Sequence, residues 1–223
     1  MDANGIDLSV ISSFTPLNLS FETSNRAIEH EVTSNRSWFR GAVRVDPRAS
    51  AFRSILKKYL QKPSFVCIYL NPFEQAFKVN DALAFAAYEV AEDMGSPVVI
   101  ESGYPIVSQP LQVAEAAREF RKVRFVMTHA GQMLASGQSE GDSLATLIEN
   151  KNVFCDTSQI ILSGIGGFIE QAIKGGAGKR ILFGSNSPFG DLSVEMMRVR
   201  EANISEQEKR AILSENAKHL FGM

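Results

Sequence analysis

Arg124–Gln132 reads RFVMTHAGQ. Val126, Met127 and Thr128 have β-strand character, and Ala130 and Gly131 interrupt it. His129 stands at the interruption, so a polar side chain is placed at the carboxyl end of a strand. In chains that alternate strands with helices, that edge is where ligands and catalytic groups collect. Two questions follow for the remaining residues: whether the alternation repeats, and which other side chains reach the same edge.

The alternation does repeat on both sides. Asp7–Ser13 (DLSVISS), Trp38–Val45 (WFRGAVRV), Ser64–Leu70 (SFVCIYL) and Pro97–Glu101 (PVVIE) read as strands upstream of Val123–Thr128. Asn152–Asp156 (NVFCD) and Arg180–Gly184 (RILFG) follow downstream. Between them fall helical patterns over Asn25–Ser34, Ala49–Gln61, Asp81–Met94, Leu111–Lys122, Asp142–Lys151 and Gly166–Lys174. Two more helices, near Leu192–Glu201 and Ser205–Leu220, finish the chain. Asp46-Pro47 and Asn71-Pro72 close strands, Asn80 or Asp81 offers a helix cap, and Gly95 offers a stop. Short apolar strands joined by helical crossovers pack as a parallel sheet covered by helices. The fold class is therefore α/β, and the expectation is a TIM-type (β/α) barrel lacking its first strand, with seven βα units visible. Asp2–Ile6 reads like the tail of a helix entering a strand, which places the absent unit at the start. An open, doubly wound sheet is the alternative that spacing leaves standing.

At 223 residues and 44% hydrophobic content, one domain over residues 1–223 is expected. A net charge of -2 and a pI near 6.0 give no basic field for nucleic acid or an anionic membrane, which leaves a small-molecule ligand or a protein as partner. The opening MDANGIDLSV has no basic segment before an apolar core, and no apolar run approaches the roughly 20 residues that span a bilayer, so a cytoplasmic location is expected. Cys67 and Cys155 lie inside apolar strands, as buried reduced thiols do.

The segments DMGSPVVIESGYP, VRFVMTHAG, NVFCDTS, RILFGSNSPFG and the closing ENAKHLFG together resemble the amidohydrolase-related barrels of the amidohydrolase-2 type, metal-dependent hydrolases and decarboxylases. The resemblance covers nearly the whole chain. It implies a distorted (β/α)8 barrel with a metal, usually zinc, at the C-terminal rim. It implies a His-x-His pair on a first strand, histidines ending the strands that correspond to Pro97–Glu101 and Val123–Thr128, and an aspartate after the last strand's Phe-Gly-Ser. Here Glu101 and Asn186 replace two of those residues, the His-x-His pair has no counterpart, and His129 keeps the family's residue type.

These positions give the candidate site. Glu101, His129 and Asn186 are the catalytic candidates, Glu101 and His129 as an acid/base pair; an asparagine amide at 186 has no basic lone pair with which to take a proton from water. Arg44 is a cation inside a barrel strand and a charge partner for Glu101. Arg44, Asn71, Tyr104 and Asp156 are the substrate-binding candidates, with Ser158, Ser185 and Ser187 nearby on the same rim. His30 reads as a surface residue and His219 as a helix C-terminal cation.

Zinc catalysis generally needs three protein ligands and an open position, more than Glu101 and His129 supply. No cofactor is thus expected from this chain alone, with a divalent, zinc-like metal as the alternative. The functional expectation is a hydrolase or decarboxylase of a small carboxylated or carbonyl compound. The alternative is a non-catalytic barrel that binds a ligand or pairs through its open edge. That edge invites a second copy or a heteromeric partner to cover it.

Overall fold

The computed structural model describes residues 1, 4–14, 20–132, 139–160 and 167–223. Seven strands form one parallel sheet in sequence order: β1 (Ser9–Ile11), β2 (Phe39–Arg44), β3 (Phe65–Leu70), β4 (Val98–Ile100), β5 (Phe125–Met127), β6 (Val153–Asp156) and β7 (Ile181–Leu182). Every neighbouring pair is parallel. Strand order equal to chain order is the wrapping of a TIM-type barrel and not of a doubly wound sheet, whose order reverses at a switch point. Among the described residues β7 does not pair with β1, so the barrel is open between those two strands. Ring contact between Phe14 and Phe189, with centroids 6.0 Å apart, spans that gap at the carboxyl end. Of the stretch Asp2–Ile6, Asp2 and Ala3 lie outside the described residues.

Helices alternate with the strands: α1 (Phe21–Ser34), α2 (Phe52–Leu60), α3 (Pro72–Gln75), α4 (Ala82–Met94), α5 (Pro110–Glu119), α6 (Ser139–Glu149), α7 (Gly167–Lys174), α8 (Leu192–Glu201), α9 (Glu206–Arg210) and α10 (Asn216–Phe221). Gly166, expected to begin α7, lies outside the described residues. Asp81 accepts hydrogen bonds from the Leu83 and Ala84 amides, and Gly95 ends α4 in the left-handed region at φ 61°. The closing helix is continuous from Glu206 to Phe221, with a π-helical stretch at Ala211–Glu215.

Two-residue alternation sorts the strand side chains. Val43, Val45, Ile68, Leu70, Val98, Ile100, Phe125, Met127, Val153, Cys155 and Ile181 face the helices and make the main core with residues such as Leu56, Tyr88, Leu147 and Phe168. Val126, Phe154 and Leu182 face inward with the partly buried Val99. Leu220 and Phe221 of α10 pack on that inner cluster, and the Arg124 guanidinium donates to the Leu220 carbonyl at 2.9 Å. α10 therefore stops the amino end of the barrel, which leaves the carboxyl ends of the strands as its mouth. Among the described residues no helix is long and apolar enough to cross a membrane. Both cysteines are buried free thiols, and burial pushes Cys67 up to about 12 and Cys155 higher still.

Candidate active site

The inward series of side chains continues past the strands into the mouth. Tyr69 is the penultimate residue of β3, Glu101 follows β4, Thr128 and His129 follow β5, and Asp156 ends β6. His129 Nε2 lies 2.9 Å from Glu101 Oε1. The other carboxylate oxygen accepts from the Tyr69 hydroxyl at 2.7 Å and from Thr128 Oγ1 at 3.3 Å. On the far side of the ring, Nδ1 faces the Ser158 carbonyl at 3.2 Å and Ser158 Oγ at 2.9 Å. Ser158 Oγ donates to Asp156 Oδ1 at 2.6 Å, so toward the imidazole this hydroxyl is an acceptor. Asp156 Oδ1 also accepts the His129 amide at 3.0 Å and the Ser158 amide at 2.9 Å.

Every partner of the imidazole is thus an acceptor. A ring with acceptors on both nitrogens is satisfied when it carries two N–H groups, which is the imidazolium. The charges agree with that form. Burial opposes the charge on His129, but the Glu101 hydrogen bond, together with the Asp156 and Glu101 carboxylates, raises its pKa above the ordinary value. Burial likewise opposes the charge on Glu101, and hydrogen bonds from His129, Tyr69 and Thr128 overcome it and hold the carboxyl below the ordinary range. Asp156 goes the other way: burial raises it despite His129 and Ser158. Burial and the neighbouring Glu101 carboxylate push the Tyr69 hydroxyl well up.

The backbone beneath this network is unusual. His129 and Ala130 adopt left-handed conformations at φ 55° and 48°, directly after β5. Gln159 after β6 and Asn186 after β7 do the same at φ 50° and 49°. Such conformations cost on the order of 1 kcal/mol or more for residues with a side chain, and they persist where the surroundings over-determine them, often at functional rims. Gly184 shows how tightly the rim is packed: a Cβ there would lie 2.8 Å from Asp156 Cγ.

The structure joins some of the sequence-based candidates and separates others. Glu101, His129 and Asp156 share one network. Asn186 donates its amide to Gln159 Oε1 at 2.9 Å, and no hydrogen bond among the described residues links it to Glu101 or His129. Arg44 points inward and is 1% exposed, yet its carboxylate partner is Glu74 at 2.6 Å and not Glu101. The reason is reach: Tyr69 lies between them, its ring under the guanidinium and its hydroxyl on Glu101. Asn71 accepts from the Glu74 amide at 3.0 Å and caps α3, a structural task. Tyr104 stacks on Phe73, centroids 4.4 Å apart. Burial, with the charges of Glu101 and Glu74, pushes its hydroxyl up to about 12. Tyr69, Thr128 and Glu74 were not singled out from sequence; alternation along SFVCIYL, which turns Cys67 and Tyr69 the same way, was the available signal for Tyr69.

The polar atoms at the mouth that could serve as metal donors are engaged with one another. Both His129 nitrogens face acceptors, Asp156 Oδ1 already accepts three hydrogen bonds, and the Asn186 amide is turned to Gln159. Among the described residues no group of three or more His, Cys, Asp and Glu side chains is placed to hold an ion.

The fold is shared with solved proteins. A 5-carboxyvanillate decarboxylase from Sphingomonas paucimobilis matches with a TM-score of 0.79 at 14% identity, over 100% of this chain and 81% of that one. A dihydroxybenzoic acid decarboxylase from a Polaromonas species, with bound manganese and the inhibitor 2-nitroresorcinol, matches with a TM-score of 0.75 at 17% identity, over 100% and 83%. An uncharacterised TIM-barrel protein from Bordetella bronchiseptica matches with a TM-score of 0.80 at 18% identity, over 100% and 80%. No curated protein sequence matches this chain. The amidohydrolase family model, of the amidohydrolase-2 type, matches residues 18–223, and by that match over nearly its whole length the chain belongs to the amidohydrolase family.

Proposed function

We propose that this chain is a decarboxylase-type member of its family acting on a small carboxylated compound, with His129 and Glu101 as its proton-handling pair. The observation that carries the reading is the imidazole held between Glu101 and the Ser158 carbonyl on left-handed backbone at the barrel mouth. An imidazolium is an acid at rest. It suits giving a proton to a carbon from which carbon dioxide departs, and it suits poorly the removal of a proton from attacking water, the step a hydrolase needs. Three donors around Glu101 leave that carboxylate weak as a base as well. The decarboxylases among the structural neighbours support the same choice.

In the proposed step the His129 proton passes to the carbon that bears the substrate carboxylate. The bond from that carbon to the carboxylate breaks, its electron pair stays with the carbon skeleton, and carbon dioxide leaves. Imidazole remains, and a solvent proton restores the imidazolium against the Glu101 charge. Asp156 and Ser158 orient the ring. We also infer that the chain alone does not hold a divalent ion tightly; elemental analysis should find well under one zinc, manganese or iron per chain, and one tightly held ion per chain would refute this.

The direct test uses 5-carboxyvanillate and a panel of hydroxylated benzoates in heavy water. Carbon dioxide release with deuterium at the vacated carbon is expected. His129→Ala should slow it by about 100-fold or more. No release across the panel, or an alanine variant with an unchanged rate, would overturn the proposal.

A further inference from the structure

Among the described residues Arg44 is the one large cation buried inside the mouth, and the proton chemistry above does not use it. Its place is fixed from several directions. Asn25 clamps its backbone, donating to the Arg44 carbonyl at 2.7 Å and accepting from the Arg44 amide at 3.0 Å. These bonds replace a strand partner, because β1 ends opposite Gly41. The guanidinium lies near the rings of Phe21 and Tyr69, at 5.0 and 5.2 Å from their centroids. One terminal nitrogen donates to the Ser13 carbonyl at 2.6 Å, and the other to Glu74 Oε2 at 2.6 Å. Nε is buried and has no hydrogen-bond partner among the described residues.

That last atom matters because Nε–H and the terminal nitrogen bound by Glu74 share one edge of the guanidinium. Two parallel N–H bonds on such an edge match the two oxygens of one carboxylate. Glu74 uses half of the edge and leaves a buried donor unmade, which is costly in an enclosed site. Glu74 is also the movable partner. Its side chain is 25% exposed, and it sits on the four-residue α3 strap, whereas Arg44 is rigid.

We propose that the Nε edge of Arg44 is a carboxylate-binding subsite, and that Glu74 occupies it in the resting protein as an internal stand-in for a ligand carboxylate. An incoming carboxylate displaces Glu74 into solvent and takes both N–H groups. The stand-in is itself a carboxylate, and the edge is planar, so a planar anion is favoured over tetrahedral phosphate. Tyr69 connects this subsite to the reaction centre, since the tyrosine under Arg44 donates to Glu101. The inference rests on the decarboxylase reading only for the identity of the ligand, a second carboxylate or the reacting one.

The test reads Arg44 itself. Protein labelled with isotopic nitrogen in its arginines is titrated with sodium benzoate at constant ionic strength, with inorganic phosphate as the comparison. The Arg44 Nε–H resonance is assigned by its loss in Arg44→Lys, or by its displacement in Glu74→Gln should the lysine variant fold poorly. Benzoate is expected to shift that resonance saturably. If the stand-in is seated about ten times more often than it is open, Glu74→Gln should bind benzoate about tenfold more tightly. A Glu74→Gln protein with no saturable shift, or one that responds equally to phosphate, would overturn the subsite. Glu101→Gln separates the two proposals: it should lose turnover and still bind benzoate at Arg44, so retained turnover counts against the decarboxylase reading and lost binding counts against the subsite.

Discussion

Replacing Glu101 by Gln removes the charge opposite His129 while preserving shape, and its cost can be worked from the three bonds the carboxylate accepts. Those from Tyr69 at 2.7 Å and His129 at 2.9 Å are short, and that from Thr128 is 3.3 Å. Hydrogen bonds to a charged group contribute about 1.5–3 kcal/mol, against about 0.5–1.5 for neutral ones. Losing the charge from two good bonds therefore costs about 2–3 kcal/mol. In a chain of this length that corresponds to a fall of about 4–12 °C in Tm. The cost should depend on pH. Glu101, with its pKa lowered, contributes stability that is present above its unfolded value near 4.5 and is lost as pH falls through the lower folded value. His129, with its pKa raised, contributes stability that is present below its unfolded value near 6.5 and is lost as pH rises through the higher folded value. The variant should lose most between 4.5 and 6.5, and less on either side. Denaturant unfolding of both proteins across pH measures it. A difference that stays flat with pH would mean that the pair is not ionised and would refute the reasoning.

Ser158→Ala removes the 2.6 Å bond to Asp156 and should cost about 1–2 kcal/mol. Because the lost donor was holding the Asp156 pKa down, that pKa should rise further, so the variant should lose more stability at neutral pH than in acid when followed by unfolding. Gly184→Ala forces its new Cβ against Asp156, since the site lies 2.8 Å from Asp156 Cγ. The carboxylate should be displaced at a cost of about 1–3 kcal/mol, and the His129 amide, which donates to Asp156, should exchange its hydrogen faster.

The order of strands and helices was legible because hydrophobic alternation and helical periodicity are local signals. Element ends were less so. β1 is Ser9–Ile11 and not Asp7–Ser13, because an edge strand pairs only where β2 runs beside it, from Phe39 to Gly41. α1 begins at Phe21 and not Asn25, since Ser20 caps it by accepting from the Thr23 amide. α3 follows the Asn71-Pro72 that closes β3 and is not among the helical patterns of the sequence. Four residues are too few to show a period, and the signal that was there, Asn71 capping a helix with Pro72 at its first position, went unread.

At the site, residues at strand ends were legible as such: Glu101, His129 and Asp156 all reach the mouth. Their roles were not. A strand end gives the edge, whereas the protonation of His129 depends on a carbonyl at Ser158 that only the turn after β6 brings beneath the ring. The Arg44 partner was missed for the same reason. Glu74 arrives on a strap whose conformation depends on a left-handed Ala76, a residue with no propensity for it. Asn186 occupied the expected position in sequence but turned toward Gln159, another residue in left-handed backbone.

The protonation of one imidazole decides between an acid at rest and an ordinary buried histidine. Nitrogen-detected NMR of labelled protein, titrated through the neutral range, reads His129 directly, with His129→Ala assigning the signal. Two ring N–H groups at neutral pH are expected, with a midpoint above 6.5 that falls in Glu101→Gln. A single-N–H ring that titrates at or below 6.5 would contradict it.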